Sequence, residues 1–254
     1  MRSTLIATLT ATALLLSACG TPSSGADAEA STPGKPDGAT IHFAAAASLT
    51  DVAPELTRAY AEETGDTTRI DINLGASSKL VQQANSGQQP DVLITADTQA
   101  PEALKDPAAF EPSVALVSNT LVLVVPSDSQ ITTADQLPDA ASVALCAPAV
   151  PCGRAANNYL EQQDFTLETV SEEDNVRAVL TKVTAGQVDA GFVYATDAAA
   201  AGNQVRAVDL AGLEPNIYPL LVAADAPKPA QDFARWLQGD AAGKLLLKAG
   251  FSKS

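Results

Sequence analysis

The sequence predicts an α/β protein of two lobes, on three observations. Between residues 41 and 95, short apolar runs with strand patterning alternate with segments of helical spacing. From Asn119 a second block of the same kind begins. The chain has 254 residues, 46% of them hydrophobic and 18% charged, enough to bury one large domain or two modest ones.

In chain order, Met1 to Thr4 is a short basic start, Leu5 to Leu16 an apolar run, and Leu16-Ser17-Ala18-Cys19 a small-residue ending. This is the pattern of a secretory signal peptide over residues 1–18, shorter than the ~20 apolar residues that span a bilayer. The ending resembles a bacterial lipobox, which implies cleavage before Cys19, a lipid on that cysteine, and a mature protein anchored on the outer face of the cytoplasmic membrane. Residues 19–40, rich in Gly, Pro, Ser, Thr and Ala, read as a flexible tether.

Residues 41–45 form an apolar strand. In residues 50–64, Val52, Leu56, Ala59 and Tyr60 fall at helical spacing, with Pro54 in the first turn and Gly65 as the stop. Residues 68–74 alternate as a strand, Gly75-Ala76-Ser77-Ser78 opens a helix ending near Gly87, and residues 91–95 are a third strand. The alternation argues for a parallel sheet, with ligands at the carboxyl ends of strands. In the second block, strands are expected at 119–126, 143–146, 166–170 and 189–194, and helices at 153–163 and 175–185. A strand at 218–223, a helix holding Trp236 and a last helix at 241–248 complete the chain. The expected lobes are 41–118 with 218–254, and 119–217.

Composition excludes several functions. Thirty acidic residues face 15 basic ones, a formal charge of -15, which argues against binding nucleic acid by phosphate neutralisation. A single histidine, His42, and three cysteines rule out HExxH zinc chemistry and histidine cages, so no bare metal ion is expected. An enzyme using Ser48 as nucleophile and His42 as base fails on reach, because six residues of strand at ~3.3 Å each separate them. No G-x-S-x-G or S-x-x-K motif is present. A structural lipoprotein is favoured only by the tether and the acidic surface.

The chemistry lies at strand ends where small or hydroxyl residues open a helix: residues 45–50, 75–80, 151–153 and 174–177. A single serine at a helix start is an ordinary N-cap. Recurrence at four starts in two lobes points instead to free amides that bind an anion.

Phe43-Ala44-Ala45-Ala46-Ala47-Ser48-Leu49-Thr50, Gly75-Ala76-Ser77-Ser78, Pro90 to Asp97, Asp174-Asn175-Val176-Arg177 and Gly191-Phe192-Val193-Tyr194 resemble, in order, the periplasmic molybdate-binding proteins of ABC transporters. The resemblance spans residues 41–251. It implies a type II periplasmic-binding fold, each lobe a mixed sheet flanked by helices, with the ligand in the interlobe cleft. The implied ligand is molybdate or tungstate, with sulfate as the alternative, and no cofactor. The implied partners are an ABC permease and its ATPase, with the binding protein a monomer. Matched position by position, the ligand residues fall on Ser48, Ser77, Cys152, Val176 and Tyr194. Cys152 stands where the family usually has Ala, and Asn175 where Asp often precedes Val.

The donor chemistry suits this ligand. Molybdate is a doubly charged tetrahedral anion without a proton at neutral pH, so neutral donors match it, and a smaller ion such as sulfate would leave donors unpaired. With Cys19 assigned to lipid, Cys146 and Cys152 are left to pair in an oxidising compartment, in a small ring worth about 2 kcal/mol. Arg154 and Arg177 flank the expected site and are expected to pair with acids such as Glu172 or Glu173. Lys79 would lend a field from outside the cleft.

Overall fold

The computed structural model describes residues 40–168 and 170–254. The predicted signal peptide, Cys19 and the tether up to residue 39 lie outside the described residues.

Two five-stranded sheets make up the fold. The first is built from β1 (Ile41–Ala46), β2 (Ile70–Gly75), β3 (Val92–Ile94), β4 (Val114–Asn119) and β10 (Asn216–Val222), in the order β2-β1-β3-β10-β4. The second is built from β5 (Leu121–Pro126), β6 (Val143–Cys146), β7 (Val170–Glu173), β8 (Ala190–Tyr194) and β9 (Val205–Asp209), in the order β7-β6-β8-β5-β9. The helices are α1 (Ala53–Thr64), α2 (Ser77–Asn85), α3 (Pro151–Gln162), α4 (Val176–Thr184), α5 (Ala195–Ala201), α6 (Lys228–Leu237) and α7 (Asp240–Lys248). The chain passes between sheets at Thr120 and returns through residues 210–215.

Local sequence explains these elements. Apart from His42 at its exposed start, β1 is buried along its length, and β5 is buried from Leu121 to Val125. Near-continuous apolar runs of this kind belong to strands covered on both faces. Pro54 sits in the first turn of α1, and Gly65 ends that helix at φ +70°, a left-handed position that a side chain resists. Phe233 of α6 ties the helices to the first sheet, its ring edge-on to Phe43 at 5.3 Å and to Tyr60 at 5.1 Å. The Trp236 indole donates to Glu63.

The sheets are mixed, as the family resemblance implied, and the parallel reading of the first block holds for its first three strands. β1 pairs in parallel with β2 and β3, but β10 enters antiparallel to β3 and β4 because it arrives from the other lobe. The strand expected at 166–170 runs instead from Val170 to Glu173, where it pairs residue for residue with β6. Phe165 and Leu167, which precede it, are partly buried against the core. Three elements carry too little pattern to be read beforehand. α5 is Ala-Thr-Asp followed by four alanines, β9 is a short strand, and β4 starts with an exposed Val114.

Cys146, at the end of β6, is bonded to Cys152 in the first turn of α3, with the Cα atoms 5.7 Å apart. Between them the chain turns so tightly that Gly153 lies against its backbone. A Cβ there would stand 2.1 Å from the Ala147 carbonyl oxygen and 2.6 Å from that of Cys146. Backbone cannot yield as a flexible side chain can. Gly153→Ala is therefore expected to destabilise the protein by roughly 2 kcal/mol or more, measured by chemical denaturation. A variant as stable as the wild type would show that the turn relaxes freely.

Candidate functional site

The carboxyl ends of β1 and β2 in the first sheet face those of β6 and β8 in the second across a small cavity. Ser48, Ser77, Cys152, Val176 and Tyr194 all line it. Ser48 comes from a 3-10 turn (Ala47–Leu49) after β1, Ser77 from the start of α2, Cys152 from the start of α3, Val176 from the start of α4, and Tyr194 from the end of β8. The room inside is small, about 10 Å³ for the centre of a water-sized molecule, roughly what one water needs and far below the ~300–1,000 Å³ typical of sites for drug-sized molecules. None of its lining side chains is charged.

Helix starts supply amides. α2 begins after Ala76 and α3 after Val150, and neither has a side-chain cap, so the amides of Ser77, Ser78 and Cys152 are not taken up locally. α4 differs. The Asn175 carbonyl oxygen of its side chain accepts from the amides of Arg177 and Ala178, leaving Val176 as the first-turn amide without a partner. The cap thus occupies the outer amides while the one lining the cavity stays available.

Each hydroxyl at the cavity already receives a hydrogen bond on its oxygen or sits next to a donor. The Ala96 amide donates to Ser77 Oγ at 2.9 Å, and Asn216 Nδ2 donates to Tyr194 Oη at 3.1 Å. Ser48 Oγ lies 2.9 Å from Tyr218 Oη, which receives a long bond of 3.4 Å from Asn119 Nδ2. Burial pushes both phenols well above their ordinary pKa, so both keep their protons. Either hydroxyl of the Ser48–Tyr218 pair can be its donor. Ser77 and Tyr194, whose bonds are received on oxygen, each keep a proton to offer, and Ser48 does so when Tyr218 is the donor of the bond they share. The cavity is chemically a set of donors, fitted to a small acceptor-rich anion and not to a cation.

Both arginines beside the cavity are paired, but not with Glu172 or Glu173 as expected. Arg154 of α3 binds Asp97, which follows β3 in the other lobe, through Nε at 3.1 Å and Nη2. Arg177 of α4 bridges Asp51 of the first lobe at 2.8 Å and Asp197 of its own lobe at 3.2 Å. Glu173 holds Lys182 instead, and Glu172 is exposed. The true partners, Asp51, Asp97 and Asp197 in the first turn of α5, are brought near only by the fold. Lys79 is exposed and lies off the cavity.

A wider cleft of about 230 Å³ also reaches Ser48, and Asp51, Glu55 and Lys248 line it. Two carboxylates against one ammonium make it a poorer place for an anion. Asn119, Asn216 and Tyr218 escaped the sequence reading, since none lies in a helix-opening motif, and Asp197 escaped it because α5, whose first turn holds it, was not foreseen. The pairing of Cys146 with Cys152 was expected, and it places Cys152 at the cavity wall.

Comparison with known proteins adds a family. Residues 41–252 match the model of the family described as bacterial extracellular solute-binding protein. The Bacillus subtilis protein YvgL, provisionally named an ABC transporter substrate-binding lipoprotein, is 34% identical, over 98% of this chain and 97% of that relative. The molybdate-binding protein ModA of Mycobacterium tuberculosis is 30% identical, over 90% of this chain and 91% of that relative. The periplasmic molybdate-binding protein of Azotobacter vinelandii superposes with a TM-score of 0.74 at 19% identity, covering 84% of this chain and 99% of that one. That likeness shows the fold.

Asp197 gives the site a pH signature. Its burial pushes the carboxyl up from 3.8 to about 6, against the pull of the Arg177 guanidinium and the Tyr194 amide. Between those values the folded protein holds a proton that the unfolded chain has released. The contribution of this group to stability is therefore lost as pH rises from about 4 through 6. Asp197→Asn should remove that loss. The gap between wild type and variant in denaturant-derived stability should change by up to about 3 kcal/mol between pH 4 and 7. Parallel profiles would mean that Asp197 does not titrate there.

Proposed function

Because the chain belongs to the bacterial extracellular solute-binding protein family, we propose that it is the substrate-binding component of an ABC importer and that its substrate is molybdate, with tungstate accepted in the same cavity. The observation that carries this reading is the small, uncharged, donor-only cavity between the lobes. Ser48, Ser77 and Tyr194 would donate hydroxyl protons to the oxyanion, and Cys152 and Val176 their amides.

The reasoning is one of desolvation. A doubly charged anion gives up a strong hydration shell on entry, and the loss is offset only where most of its lone pairs find donors. A protonated phosphate would need an acceptor for its proton, and the lining offers no carboxylate. Sulfate carries the same charge on a smaller tetrahedron, so donors held apart by two lobes would not all reach it. The names of the mycobacterial relative and of the Azotobacter structure agree with molybdate. No cofactor is required, since the ion is bound and released unchanged.

Delivery requires export and a membrane partner. In this reading Cys19 carries the lipid that keeps the protein at the outer face of the cytoplasmic membrane, and the monomer hands its ion to a permease driven by an ATPase. The Cys146 to Cys152 bond would hold the Cys152 amide at the ligand.

Calorimetric titration of the purified protein tests the ligand. Molybdate and tungstate should bind and raise the melting temperature by mass action. Sulfate should bind at least about 100-fold more weakly. The paired change Ser48→Ala with Ser77→Ala should cost about 100-fold or more in affinity, two bonds to a charged ligand at roughly 1.5–3 kcal/mol each, with the unliganded melting temperature little changed. Sulfate binding as tightly as molybdate would overturn the choice of ion, and unchanged affinity in the double variant would overturn the site. Reduction of the disulfide should weaken binding as well as lower stability by about 2 kcal/mol.

A further inference from the structure

Asn119 is the last residue of β4, where the chain leaves the first sheet, and Asn216 is the first residue of β10, where it returns. The two face each other in the β4–β10 ladder. Each side chain reaches toward hydroxyls of the candidate site. Asn216 Nδ2 donates to Tyr194 Oη at 3.1 Å and to the Ala96 carbonyl at 3.1 Å, and the amide of that same Ala96 donates to Ser77 Oγ. Asn119 Nδ2 donates to Thr196 Oγ1 at 2.9 Å and to Tyr218 Oη at 3.4 Å, and Tyr218 meets Ser48.

The orientation of both amide groups follows from their partners. A backbone carbonyl only accepts, so the Asn216 atom facing Ala96 is its nitrogen. The Thr120 amide only donates, at 3.0 Å, so the Asn119 atom it meets is the oxygen. Each carboxamide is thus pinned by a main-chain group, and its NH2 group is turned toward a tyrosine. All three site hydroxyls, Ser48, Ser77 and Tyr194, connect through at most two hydrogen bonds to one facing pair of asparagines at the lobe crossing.

We propose that Asn119 and Asn216 are positioning residues: by donating toward the tyrosine oxygens they set the direction of the site's hydroxyl protons, and by sitting on the two crossing strands they make that direction depend on how the lobes are set. The proposal rests on the oxyanion reading above for its effect on affinity, but not for the hydrogen-bond directions themselves. Neither residue lines the cavity. If the lobes shift, Tyr194 of the second sheet parts from Asn216 of the first and becomes free to donate elsewhere, whereas Tyr218, on β10 beside β4, stays with Asn119. Full donor strength would then exist only in one lobe arrangement.

A double-mutant cycle on the purified full chain tests this, with molybdate affinity as the readout and unliganded melting as the control. Asn216→Leu and Tyr194→Phe should each weaken binding about 10- to 100-fold, and the double variant should be no weaker than the poorer single one. Asn119→Leu with Tyr218→Phe should behave alike. Additive losses within either pair would overturn the proposal, because a merely structural asparagine acts without the phenol. Should a variant fail to fold, the wild-type protein decides by NMR with labelled tyrosine and asparagine, without any oxyanion. Contacts from the Asn216 and Asn119 NH2 groups to the Tyr194 and Tyr218 hydroxyls, with those protons turned away from the asparagines, support it. Phenol protons donated to the asparagine oxygens overturn it. A wild type that binds no oxyanion would defeat the ligand reading alone, leaving this measurement to decide the hydrogen-bond directions.

Discussion

A hydroxyl group is ambivalent: it can give a proton or receive one, and a cavity lined with hydroxyls has no fixed polarity until something settles the matter. Here that settlement comes from behind the cavity wall. The Ala96 amide and the two asparagines at the lobe crossing each donate to a hydroxyl oxygen. That biases the hydroxyl protons to point away from these donors, toward the cavity. On the proposed reading this is the constraint to which the rest of the architecture answers, because an acidic chain with a formal charge of -15 has no surplus of cations with which to hold an oxyanion. The arginines nearest the cavity are already neutralised by Asp97, Asp51 and Asp197. Global charge governs binding of polyanions across a surface, whereas a small ion in a closed cleft responds to the dipoles within a few ångströms of it.

The fold serves that polarity by assembling helix starts. Parallel strands in each lobe end at the same rim, and the helices that follow present their first amides there. α2 and α3 have no side-chain cap, whereas α4 has one that spares only the amide of Val176. At α3 the approach is closest: Gly153 has no room for a side chain, and the adjoining disulfide ties the helix start to the end of β6.

Much of this was legible before any coordinates, and the boundary has a physical cause. The helix-opening strings around Ser48, Ser77, Cys152 and Val176 are local, since strand, turn and first helical turn lie within a few residues of one another. So they could be read directly, as could the small ring of Cys146 and Cys152. Asn119, Asn216 and Tyr218 could not. Their roles arise from contacts across up to 170 residues of sequence, as between Ser48 and Tyr218. The ion partners of Arg154 and Arg177 failed to appear for the same reason: nearby acids in sequence pointed to Glu172 and Glu173, while the fold supplied Asp97 and Asp51 from the other lobe and Asp197 from α5 of the same one. α5 went unseen because a run of alanines has helix propensity but no amphipathic stripe to reveal it.

Arg177 holds two carboxylates that differ in kind. Asp197 is fully buried in the same lobe, and Asp51 is half-exposed on the opposite one. If the lobes part, the guanidinium loses the partner that water can replace and keeps the one it cannot. No charge is stranded in the interior by that separation. The bridge to Asp51 therefore acts as a detachable fastening on a permanently seated bolt, one that the two halves could undo without either of them unravelling.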